Sequence, residues 1–238
     1  MAMTVTAPVA LPRRAFYVGL SLFMALIAVA GFWATYFGPL VMGRLAQPAV
    51  IHLHAIVFTG WLMLFSMQVV FAATGRVSAH LRLGRIGIVY GVGLILVGLA
   101  TAVVRSPARG LGGPAERLLF ISLIDMCVFA AFFFAAIRFR RKPQFHRRLM
   151  TVAATALLVA AVFRLSFVPP PPVRLPLRFA IWSTPILLAI AYDFKKQHRV
   201  HPIYLMGLGA FAVRVWTEPF AATPAWGAFS RWVFSFGF

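Results

Sequence analysis

Carboxylates are almost missing from this chain. Four acids, Glu116, Asp125, Asp193 and Glu218, stand against 23 lysines and arginines, for a formal charge of +19. In a soluble protein that imbalance would indicate a nucleic-acid partner. Here the basic residues flank long apolar runs, where they meet anionic headgroups and set orientation, so nucleic acid is not the partner. Cysteine is scarcer still: the single Cys127 lies inside an apolar run. Disulfide frameworks, zinc fingers and Cys-attached haem are therefore excluded, and any metal or haem must take nitrogen ligands. Charged residues of either sign make up only 11% of the chain, whereas 62% is hydrophobic. A soluble domain of this length could not hide so much apolar sequence. The partner is the lipid bilayer, and the fold class is an all-α polytopic membrane bundle.

Seven spans are predicted, at 15–37, 50–73, 84–104, 117–138, 148–168, 177–192 and 202–217. The last two are short, and the sixth carries Pro185 after Ser183 and Thr184, whose hydroxyls can satisfy carbonyls freed by a kink. With a cytoplasmic N-terminus, 14 Lys and Arg fall on the inside and nine on the outside, with RFRRKPQFHRR dominating the bias; this favours N-in and C-out. The first apolar run is long and lacks a small-residue cleavage site, so it is read as a retained helix.

Residues 1–217 are read as one transmembrane domain and 218–238 as an aromatic interfacial segment. In that segment Trp226, Phe229, Trp232, Val233 and Phe236 follow helical spacing, which suits a short helix in the outer interface; a disordered tail is the alternative. The loop holding Pro169 to Pro172 should be polyproline-like. Gly84, Gly87, Gly91 and Gly98 share one face of the third span and let a neighbouring helix approach, a packing role only.

Ionisable groups inside spans are costly and usually face the bundle interior, so each is a candidate. Three histidines open spans on the cytoplasmic side: His80 before span three, His146 before span five and His201 before span seven. Odd-numbered helices of an antiparallel bundle start from one face, so the three rings share a depth, with Gln68 nearby. Imidazoles from separate helices can hold a metal ion or the two axial positions of a haem. The alternative for each is a cap or headgroup contact; His201 directly before Pro202 reads as an N-cap with Pro at N1. Asp193 either orients a histidine or is a solvated helix-end charge.

A second set lies in the outer half. His54 shares a stripe with Phe58, Trp61, Phe65 and Gln68, whereas His52 falls about 200° away. Asp125, Arg164 and Arg214 occur at matching depth, so Asp125 is expected to pair with Arg164 or Arg214, with His54 nearby. Such a network serves either a site or simple positioning of helices.

The run IHLHAIVFTGWLMLFSMQ, then GRVSAHLRLGRIG, HRRLM and HPIYLMG, resembles a group of uncharacterised bacterial integral membrane proteins with about seven helices, over residues 50–207. It is distantly similar to diheme b-type cytochromes and ferric-reductase-like membrane proteins. That second resemblance implies electron transfer through bis-histidine haem, with His54, His80, His146 and His201 as the positions matching its ligands. Where that family carries two histidines per face on facing helices, the outer face here offers only the adjacent His52 and His54, leaving at most one haem, on the inner side.

The leading expectation is thus a bacterial inner-membrane protein with a histidine-lined site, binding haem b or a transition-metal ion, in redox chemistry or assembly of a redox complex. Two other classes stand beside it. One is an accessory subunit of a respiratory or photosynthetic membrane complex with partner subunits. The other is a small-solute or proton transporter lined by Asp125, Arg164, Arg214 and His54, against which stands the lack of an internal repeat.

Overall fold

In lipid a segment must satisfy its own backbone hydrogen bonds, which leaves helices as the available element for apolar runs of this length. The computed structural model describes residues 11–105, 107, 113–165 and 174–236, and among them every regular element is a helix. The proline loop Pro169 to Pro172 lies outside the described residues.

The first span comprises α1 (Leu11–Phe32), a π-helical stretch (Trp33–Phe37) and α2 (Gly38–Val41). It is followed by α3 (Ala49–Ala73), α4 (Val77–Arg105) and α5 (Gly113–Arg138). The fifth span is divided into α6 (Pro143–Ala156) and α7 (Val159–Val162), and then come α8 (Arg174–Gln197), α9 (Pro202–Thr217), a 3-10 turn (Glu218–Ala222) and α10 (Pro224–Phe234). Among the described residues six helical segments are long and apolar enough to cross a bilayer, so the chain is a multi-pass membrane protein.

Two expectations change in detail. The sixth helix is not short: α8 runs 24 residues with Pro185 inside it, and the Thr184 hydroxyl donates to the Ala180 carbonyl (2.8 Å). The fifth span is not one helix. At Leu157–Leu158 the chain tightens, with Leu158 N–H donating to the Thr155 carbonyl (3.0 Å), and that carbonyl also accepts the Trp182 indole N–H (2.9 Å). An outside donor on a mid-helix carbonyl is one of the ordinary causes of such a break. Helix α9 has the expected limits, 16 residues from Pro202 to Thr217. At about 1.5 Å per residue it covers about 24 Å of a hydrocarbon core about 30 Å thick.

Consecutive helices pack as neighbours, α3 on α4, α4 on α5 and α5 on α6, while α1 closes the bundle against α3, α7 and α8, and α9 lies against α5, α6 and α8. Small residues set the closest approaches. A Cβ at Gly31 would strike the backbone of Ala161 in α7, and one at Gly91 would enter the Phe133 ring. Phe133 also packs beside Trp61, which is fully buried with its edge on Phe129 (centroids 5.3 Å). Helix α10 is capped by the Thr223 hydroxyl and docks on the start of α5, where the Trp226 indole donates to the Glu116 carbonyl (2.8 Å) and meets the Phe120 ring.

Candidate functional site: a histidine pair and two ion-pair clusters

The α3–α4 and α5–α6 connections close in the same way. His80, in the first turn of α4, donates from Nδ1 to the Gln68 carbonyl of α3 (3.2 Å). His146, in the first turn of α6, donates from Nδ1 to the Ala136 carbonyl of α5 (2.9 Å). A carbonyl only accepts, so both rings carry a proton on Nδ1, and in the neutral ring the lone pair is then on Nε2. The two rings stand 6.4 Å apart between centroids, at 86°. Gln68 adds a buried Oε1 with no hydrogen-bond partner.

His201 differs. It is the N-cap of α9, as the His-Pro sequence predicts, and its Nδ1 accepts the Ile203 N–H (3.4 Å). Its proton therefore sits on Nε2, and its ring lies edge-on to Phe145. Among the described residues no three His, Cys, Asp or Glu side chains gather as a metal set. The expected trio of His80, His146 and His201 is thus reduced to a pair, because capping uses the lone pair that ligation would need.

His201 joins another group at the same end of the bundle. Arg148 and Asp193 form a buried ion pair, Nε to Oδ2 2.7 Å and Nη2 to Oδ2 2.6 Å, and Arg148 also donates to the Gln144 carbonyl. Asp193 is therefore not a solvated helix-end charge: it is 1% exposed, and its Oδ1 has no hydrogen-bond partner. The Arg148 guanidinium lies over Tyr204, whose hydroxyl is 3.3 Å from that of Tyr17. Arg147 lies over the Tyr17 ring, 5.4 Å from its centroid. Burial first, then the positive charge of Arg148, holds the His201 pKa below its ordinary value; Arg147 acts in the same direction and Asp193 opposes it. Arg148 escaped sequence reasoning because it is one of many basic residues in its loop. The available signal was the polar row Arg148, Thr151 and Thr155, at helical spacing and wholly buried.

In the second set, Asp125 takes Arg214 rather than Arg164: Nε to Oδ1 is 2.8 Å and Nη2 to Oδ2 is 3.3 Å. Glu218, one turn after Arg214, accepts from its Nη1 (3.2 Å) and pairs with Arg117. Glu218 was legible as an i,i+4 partner and was missed. Arg164 turns back to the Ala160 carbonyl and the Phe32 ring, near enough for its charge to act on His54. His54 stacks on Phe58 (4.0 Å) with Nδ1 buried and without a hydrogen-bond partner, whereas His52 is bonded through Nδ1 to the Tyr36 hydroxyl (3.0 Å).

No family model matches this chain, and neither a curated protein nor a solved structure matches it.

Proposed function

We propose that this is a seven-span protein of the bacterial cytoplasmic membrane, N-in and C-out, whose His80 and His146 bind a redox-active group at the cytoplasmic side. The observation that carries the reading is the pair of imidazoles anchored through Nδ1 on helix-end carbonyls, with an Nε2 left on each and the ring centres 6.4 Å apart. Metal-bound histidines are commonly fixed in this way, since the second hydrogen bond selects the tautomer and orients the ring. Two nitrogen donors without a carboxylate would suit a haem b or a soft ion of low coordination number such as Cu(I), with His80 and His146 as the residues that would hold it. Either group would supply one-electron chemistry. The protein's part is to hold both rings in the ligating tautomer.

The seventh span is formed by α9 continued by the 3-10 turn, whose five residues add about 10 Å at about 2 Å each. Asp125 and Arg214 neutralise each other. A partner subunit is favoured by one feature: Trp226, Phe229, Trp232 and Phe236 form a continuous ring ladder on α10, three of them exposed, where a neighbouring helix could lie.

The test is an absorption spectrum of the purified chain with and without dithionite, together with metal quantitation. A Soret band or about one transition-metal ion per chain is expected, lost in His80→Ala and His146→Ala and kept in His201→Asn. No haem and no metal, or retention in the double alanine variant, overturns the reading.

A further inference from the structure

All four side-chain carboxylates of the sequence are already engaged: Glu116 with Arg231, Asp125 with Arg214, Glu218 with Arg214 and Arg117, and Asp193 with Arg148. Arg147 is therefore a half-buried cation that none of these four side-chain carboxylates neutralises. Its Nε is shut away from solvent and has no hydrogen-bond partner, while its guanidinium is seated on the Tyr17 ring. The next cation, Arg148, is buried behind it and already neutralised by Asp193, and His201 lies within reach of the charges of all three. Tyr17 is held by Tyr204 and by an edge contact to Tyr192, so the platform under Arg147 is fixed from α1, α8 and α9 together.

A planar guanidinium held on an aromatic face, with unspent donors, is arranged for a tetrahedral oxyanion. We propose that Arg147, on its Tyr17 platform beside His201, binds a phosphate group, from an anionic phospholipid headgroup or from free phosphate. The location favours this chemistry, because the residues cluster where α1, α6 and α9 begin and α8 ends, at one rim of the bundle. This inference does not rest on the histidine pair and stands or falls separately.

The experiment is native mass spectrometry of the full chain released from nanodiscs of phosphatidylglycerol and phosphatidylcholine in equal parts. One phosphatidylglycerol per chain should survive activation that strips the rest. Arg147→Gln should lower that retained fraction at least fivefold, and Arg147→Lys should lower it less. Arg82→Gln, at an exposed arginine of α4, should leave it unchanged. If Arg147→Gln fails to fold, His201→Asn, which keeps a cap acceptor and removes the ring, gives the same reading with a smaller loss. A second arm adds inorganic phosphate: displacement of the lipid at millimolar phosphate assigns the seat to free phosphate, and resistance assigns it to the headgroup. Equal loss in Arg147→Gln and Arg82→Gln, or no loss of either phosphate source in Arg147→Gln and His201→Asn, overturns the proposal.

Discussion

Arg148 and Asp193 are joined across α6 and α8 with both side chains 2% exposed, the most deeply enclosed ion pair among the described residues. A pair so placed fixes how two helices meet, because sliding either one would leave a bare charge in a medium that cannot solvate it. Removing one partner alone, as in Asp193→Leu or Arg148→Met, should destabilise by about 3–5 kcal/mol. The double variant should recover much of that loss. Denaturant unfolding in detergent checks it, and a double variant as unstable as the worse single one would contradict the pair's role.

The approach of α1 to α7 depends on Gly31, where any Cβ would collide with the Ala161 backbone. Gly31→Ala is expected to cost about 1–3 kcal/mol, the usual scale for forced overpacking. Gly93→Ala, on α4 with open space around it, should be neutral or slightly stabilising. Melting temperatures of the two variants in one detergent make the comparison.

His201 sits with its pKa below the ordinary 6.5. The unfolded chain therefore binds the proton more readily than the folded one, so this residue's contribution is complete above about pH 6.5 and declines as pH falls below it. In detergent without anionic lipid, the melting temperature should drop on acidification from neutral pH, and His201→Asn should flatten that drop. An equally steep drop in the variant would assign the acid sensitivity elsewhere.

Helix α10 is tied to α5 by the Trp226 indole on the Glu116 carbonyl and by Arg231 on the Glu116 carboxylate. Trp226→Phe should weaken this dock by about 1 kcal/mol and speed tryptic cleavage at Arg231. Unchanged cleavage kinetics would show that the ring, not its N–H, holds the segment.

The bilayer helices, their approximate limits and the cap at His201 could be read from the chain, since each depends on local signals: long apolar runs, flanking arginines and a His-Pro step. The shared depth of His80 and His146 could be read as well, because helix direction alternates. Which rings actually meet could not. That depends on the tautomer each hydrogen bond imposes, and Gln68 and Ala136 offer carbonyls that no residue type reveals. The Arg148–Asp193 pair was hidden for a similar reason, as neighbouring arginines look alike until the buried face of α6 is known. The break at Leu157–Leu158 was invisible because its cause, the Trp182 indole, comes from another helix.

That break has a consequence for biogenesis. Helix α7 is a single turn of four residues, far too short to persist alone given the cost of nucleating a helix, and the surface that receives it is the Gly31 notch of α1. The notch can therefore fill only after α7 has followed α1 into the bilayer, so α1 is committed to the membrane before its own closest contact exists.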